Sequence, residues 1–196
     1  MNKTVLIIGI IFLLIGASVV SSMKTVENKN NIEEKLSSGK IAYGSCAFSP
    51  YNIVKFPLND PGNVEIIAPG DNTYFLAGGT WTCDGEWYGC EYNSGGLWKI
   101  DPDSGSMENI GGGGTSCNGL SWDPVYNRLY GIGSSGLYEY DPDTGEQEYI
   151  GSISGPSFIS GIAFDGNGTL YAWDDNLWII EALEGTLVGP LGIWAM

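Results

Sequence analysis

Gly136-Leu137-Tyr138-Glu139-Tyr140-Asp141-Pro142-Asp143-Thr144-Gly145 is a phrase that this chain states three times. It occurs first as Gly96-Leu97-Trp98-Lys99-Ile100-Asp101-Pro102-Asp103-Ser104-Gly105. It returns, worn, as Asn176-Leu177-Trp178-Ile179-Ile180-Glu181-Ala182-Leu183-Glu184-Gly185. The first half is rich in Leu, Trp, Tyr and Ile and reads as a short strand. The second half is a turn, since proline fixes φ and the closing glycine admits positive φ. Leu97, Leu137 and Leu177 are 40 residues apart each time. A strand-dominated repeat of that length predicts a propeller or a linear array.

Two more phrases precede this one in every unit. Trp87-Tyr88-Gly89, Leu129-Tyr130-Gly131 and Leu170-Tyr171-Ala172 correspond. So do Gly119-Leu120-Ser121-Trp122-Asp123, Gly161-Ile162-Ala163-Phe164-Asp165 and Gly79-Thr80-Trp81-Thr82-Cys83-Asp84, the last with one extra residue. A fourth strand follows the turn and ends on Ile110-Gly111 or Ile150-Gly151. Asp84-Gly85 and Asn167-Gly168 favour tight hairpins. The fold class is therefore all-β, a β-propeller of four-stranded antiparallel blades. It competes with a β-sandwich, which has no reason to repeat three phrases in step.

Gly161 to Asp165, Leu129 to Gly131 and Leu137 to Gly145 resemble the blades of secreted β-propellers that read Gly-Leu-Ala-Phe-Asp, Leu-Tyr-Gly and Leu-Tyr-Glu-Ile-Asp-Pro-Thr-Thr-Gly. The resemblance covers about residues 41–192. It implies the fold and leaves the function open, because propellers of this look serve unrelated roles. The chain has no histidine, so the Gly-His signature of WD40 repeats is missing, as is the Asp-box of sialidases.

In chain order, residues 1–22 read as a signal peptide: Val5 to Val20 is an apolar run and Val20-Ser21-Ser22 offers compact residues for cleavage. An uncleaved segment is the alternative, and would be the sole route to a membrane. Residues 23–40 read as a polar flexible spacer. Residues 41–196 read as a partial propeller, with a partial blade at 41–71 and blades at 72–113, 114–153 and 154–192. In the partial blade Ala42-Tyr43-Gly44 echoes a second strand and Asn52 to Phe56 a third, so the first strand is missing. Closed propellers use about four to eight blades. The expectation is an incomplete ring whose remaining blades belong to a longer chain.

From Ile41 onward 20 acidic residues face three basic ones, Lys55, Lys99 and Arg128, a formal charge of −17. Nucleic acid is a poor partner for such a field. The cysteines are Cys46, Cys83, Cys90 and Cys117. An even count behind an export signal suggests disulfides, with three pairings open. Either Cys46 or Cys90, at strand ends, could meet Cys117 on an adjoining inner strand. Zinc is disfavoured without histidine or a Cys-x-x-Cys spacing. Asn167-Gly168-Thr169 is a glycosylation sequon at an expected hairpin tip.

The weak metal candidates are Asp101, Asp103, Asp141 and Asp143, whose paired carboxylates could serve calcium. A third acid and a distal glutamate are missing, so a plain chain-reversing turn is the favoured reading, and no cofactor is expected. No catalytic set is identified. Asp174-Asp175, and Glu86 with Glu91, are possible carboxylate pairs. Trp81, Trp122 and Phe164, and Trp98, Tyr138 and Trp178, recur at fixed blade positions, as packing between blades demands. Unrepeated aromatics such as Tyr92 and Trp173 fit a carbohydrate platform better. These features predict a non-catalytic exported module, secreted or at the cell surface, that binds a protein or glycan. The rival is a secreted propeller hydrolase or lyase using carboxylates and a divalent metal in its central channel.

Overall fold

The computed structural model describes residues 39–133, 136–154, 158–183 and 185–190. The expected signal peptide, almost all of the spacer, and the last six residues lie outside the described residues. What is described is all-β, arranged as four antiparallel sheets. The first sheet contains β1 (Ile41–Ser45), β2 (Ile53–Pro57) and β3 (Glu65–Ala68). The second contains β4 (Leu76–Trp81), β5 (Trp87–Glu91), β6 (Leu97–Ile100) and β7 (Met107–Gly111). The third contains β8 (Gly119–Asp123), β9 (Arg128–Gly133), β10 (Gly136–Tyr140) and β11 (Gln147–Gly151). The fourth contains β12 (Gly161–Phe164), β13 (Leu170–Trp173), β14 (Leu177–Glu181) and β15 (Thr186–Pro190). Each sheet is a meander in sequence order, and the innermost strands β4, β8 and β12 pack on one another. This is an incomplete β-propeller.

The repeated phrase makes sense once the faces are assigned, because successive side chains of a strand point to opposite sides. In β6, Trp98 and Ile100 join the core against the first sheet, and Leu97 joins the core against the third. In β10, Tyr138 and Tyr140 face back to the second sheet, and Leu137 faces on to the fourth. Both faces of each middle blade are covered, so the strands are apolar on both sides rather than alternating. Leu97, Leu129 and Leu137 are fully buried, each contributing on the order of 2 kcal/mol. The core is thus three layers, one per junction between sheets.

Several polar and covalent links cross these junctions, among them a hydrogen bond from Asn118 Nδ2 to the Ile159 carbonyl at 3.1 Å. Thr80 Oγ1 accepts from the Trp122 backbone N–H at 3.0 Å, and Ser121 Oγ accepts from the Phe164 N–H at 2.9 Å. A hydroxyl of one innermost strand therefore caps an amide of the next. The Tyr140 hydroxyl donates to the Gly95 carbonyl at 3.1 Å and accepts from Gln147 Nε2 at 2.5 Å. Burial pushes that phenol up to about 12. A disulfide joins Cys90, at the outer end of β5, to Cys117, just before β8.

The inner-strand register differs from the spacing of the phrases, by one residue at Gly79 and two at Asp84. The two amide–hydroxyl bonds place Thr80 opposite Ser121's position in the next blade, so Gly78, Gly119 and Gly161 correspond. Thr82 then occupies the place of Asp123 and Asp165. The role is kept: Thr82 Oγ1 accepts from Glu86 N–H, as Asp123 Oδ1 accepts from Val125 N–H and Asp165 Oδ1 from Asn167 N–H.

Among the described residues the first sheet has no innermost strand. β1, which carries the Tyr-Gly phrase of a second strand, is its inner edge. A narrow cleft, with about 30 Å³ open to water, lies between it and β4 and β5, with Tyr43, Leu76, Trp81 and Trp87 among its walls. Tyr43 meets Trp81 edge-on at 5.4 Å and Trp87 at 5.6 Å, and the two indoles stack at 5.7 Å.

Candidate functional site

The Asp-Pro-Asp turns carry the weak metal candidates. Asp101 Oδ1 accepts from the backbone N–H of Asp103 and Ser104 and from Ser104 Oγ, at 2.7–3.0 Å. Those hydrogen bonds, first among them the Ser104 amide, hold its carboxyl below the usual range. Asp141 Oδ1 accepts from Asp143 and Thr144 N–H in the same way. Gly105 and Gly145 close the turns at φ 68° and 73°. Each glycine also lies against the preceding blade: a Cβ on Gly105 would sit 2.7 Å from Ala68 Cβ, and one on Gly145 2.6 Å from the Gly111 carbonyl carbon. The turns are blade-to-blade junctions as well as chain reversals. Among the described residues no three Cys, Asp or Glu side chains come together as a metal-binding group.

The expected carboxylate pairs serve local structure. Glu86 and Glu91 flank opposite ends of β5, roughly 16 Å apart by strand rise. Glu86 pairs with Lys99 at 2.7 Å. Glu91 is buried and accepts from Ser94 N–H, Ser94 Oγ and Asn93 Nδ2. Burial would raise its carboxyl, but these hydrogen bonds outweigh it and lower it. Asp174 Oδ1 accepts from Asn176 N–H and from Trp178 Nε1 at 2.8 Å. Cys46 and Cys83 are free thiols, the first half-buried and the second exposed. Asn167 is exposed in the β12–β13 turn.

The central channel is lined by the innermost strands. Gly78, Gly79, Asn118, Gly119, Ser160 and Gly161 border a tight crevice between them, with about 20 Å³ open to water. Small residues dominate because neighbouring backbones nearly touch: a Cβ on Gly78 would meet Leu120 N at 2.5 Å, and one on Gly119 would meet Gly161 Cα at 2.8 Å. The carboxylate of β8, Asp123, is buried and caps its own hairpin.

An aromatic row stands at the rim where β1, β3 and β5 end. Tyr51, in the β1–β2 loop, lies 5.6 Å from Phe75, just before β4. Phe75 lies 5.7 Å from Tyr92, just after β5. Tyr74 faces Trp98 at 4.5 Å. Tyr74 and Tyr92 are each 37% exposed. Tyr92 N–H donates to the Phe75 carbonyl at 2.8 Å, so two of the three loops are clipped together by backbone. The sequence pointed to Tyr92 but not to Tyr51 or Phe75, which sit on separate loops with no shared spacing. Trp173, expected in a loop, ends β13 with its ring over Gly161.

No family model matches the chain, and none of the curated proteins matches it. Solved structures do. A chain of a nidogen/laminin complex aligns with TM-score 0.58 at 13% identity, over 78% of this chain and 59% of that one. Virginiamycin B lyase from Staphylococcus aureus aligns with TM-score 0.55 at 15% identity, over 81% and 54%. A gluconolactonase from Xanthomonas campestris aligns with TM-score 0.55 at 13% identity, over 76% and 57%. At such identities the likeness shows the propeller fold alone, and the functions of these chains are too different to choose among. This chain spans between 39% and 59% of the first three solved chains it matches.

Proposed function

We propose that the chain is part of an exported β-propeller that acts as a non-catalytic module, secreted or at the cell surface, binding a protein or glycan through the loops of one rim. The observation that carries this reading is the lining of the channel. Among the described residues the crevice between the innermost strands is bordered by Gly, Ala, Ser, Asn118 and apolar residues, whereas propeller hydrolysis or lysis by carboxylates and a metal needs acids gathered there. Asp101, Asp123, Asp141, Asp165 and Asp174 instead cap turns, and Glu65, Glu86 and Glu139 form ion pairs. Loops held by a rigid scaffold are the usual place for recognition. The disulfide fits an oxidising compartment. The open edge of β1 and the cleft beside Trp81 fit further blades from a longer chain, since an uncovered strand edge invites pairing.

The test uses the full chain. It is assayed on lactone, ester and glycan substrates with and without a chelator, and its thermal midpoint is measured with and without calcium. A ligand that binds only the folded state raises that midpoint by mass action. The expected result is no turnover and a midpoint indifferent to calcium and chelator. Chelator-sensitive turnover would overturn the reading in favour of a propeller hydrolase or lyase, and a calcium-dependent rise would make the Asp-Pro-Asp turns a metal site.

A further inference from the structure

We infer that the Tyr51–Phe75–Tyr92 row is a stacking platform for a neutral, β-linked pyranose glycan; this rests on the binding-module reading above. Packing between blades does not require these rings. In the structural register Phe75 corresponds to Ser116, Tyr51 to Gly95, and Tyr92 to Ala47 in the preceding blade. The core aromatics recur from blade to blade, whereas Tyr51 and Tyr92 have no aromatic counterpart among the described residues; Phe75 recurs as Phe158, three residues before Gly161 of β12.

Tyr51 carries the second argument. It holds φ at 59°, where the equivalent Gly95 holds 70°. A bulky side chain in the left-handed region is an outlier that costs stability and clusters at functional sites. Glycine serves that backbone position in the next blade, so the tyrosine ring is there for what it presents. The platform is also held in place beforehand. Glu91 pins the loop after Tyr92 through Ser94 and Asn93, and Tyr92 N–H is bonded to the Phe75 carbonyl. Pre-organised rings lose little entropy on binding.

Charge selects among glycans. The three basic residues after Ile41 are all committed: Lys55 to Glu65, Lys99 to Glu86 and Arg128 to Glu139. From Ile41 onward the chain is strongly acidic in net charge, so uronic-acid or sulfated chains are repelled by its overall field. The electron-rich ring faces attract the C–H faces of pyranose rings, and tyrosine hydroxyls, with the exposed Asn72 nearby, offer hydrogen bonds to sugar hydroxyls.

Isothermal titration of the full chain with the hexamers of β-linked glucose and N-acetylglucosamine tests this, with a hexauronate as the anionic control. The expected result is saturable binding of a neutral hexamer, none of the hexauronate, and a loss of about tenfold or more in Tyr92→Ala. Phe75→Ala should lose as much. Tyr92→Phe keeps the ring and should stay within about threefold, and Tyr149→Ala, on the outer strand β11, should bind as wild type. Absence of binding by both neutral hexamers, or unchanged binding in Tyr92→Ala, overturns the platform and leaves the module reading standing. Cleavage of either hexamer overturns the module reading itself.

Discussion

Replacing Gly145 by alanine tests whether the Asp-Pro-x-x-Gly turn is a junction between blades. Two costs are separable. The first is conformational: φ is 73°, and an L-residue there loses about 1–2 kcal/mol. The second is contact. A Cβ would sit 2.6 Å from the carbonyl carbon and oxygen of Gly111 and 2.9 Å from Gly112 N. Those atoms are backbone, so relief requires the blades to move apart, which costs about 1–3 kcal/mol as overpacking does. The total is about 2–5 kcal/mol, and a folded part of this size loses roughly 2–4 °C per kcal/mol. Gly85→Ala is the control, because Gly85 has φ 91° but nothing within 4 Å of its would-be Cβ. The assay is thermal unfolding followed by circular dichroism. Gly145→Ala should fall clearly further than Gly85→Ala. Equal shifts in the two variants would refute the junction and leave glycine there for its backbone alone.

Three other outcomes are expected. Converting Cys90 and Cys117 together to alanine should cost about 3–4 kcal/mol, from the loop entropy of a cross-link spanning 27 residues, read as a lower urea midpoint; in the native chain a thiol reagent should label Cys83 first, Cys46 more slowly, and the other two not at all. Tyr140 titrates near 12 in the folded chain against about 10 when unfolded, so its contribution, about 2–3 kcal/mol, is whole below pH 10 and is lost as pH rises through 12; in Tyr140→Phe the urea midpoint should fall less between pH 9 and pH 11.5 than in wild type, and parallel falls would refute the assignment.

The fold was legible because a propeller asks the same thing of every blade. Leu97 and Leu137 must each face the next sheet, and Trp98 and Tyr138 the previous one, so the requirement is written repeatedly in the sequence. Contacts between blades left weaker traces. The positive φ of Gly145 follows from turn chemistry, but its approach to Gly111 depends on how two sheets splay. The inner-strand register slipped, by one residue at Gly79 and two at Asp84, because Asp84 looked like Asp123, while Thr82 supplies the same hairpin cap with a hydroxyl. Cysteine parity left three pairings, and only the meeting of β5 with the approach to β8 selects Cys90 and Cys117. The aromatic row was half hidden for a simple reason: a site made of single residues from three loops has no period.

The location of the disulfide bears on how the chain would respond to force. Junction energies in repeat architectures act between nearest neighbours, and here the packing layers run from each sheet to the next. Pulled from its ends, such a chain should yield in steps of about 40 residues, each releasing roughly 130–140 Å of contour. The Cys90–Cys117 bond spans the second and third sheets. It would withhold roughly 90 Å of that length and keep the two blades tethered after their interface has parted. A reducing agent would then lengthen the extension trace at this junction and leave the junction between the third and fourth sheets as it was.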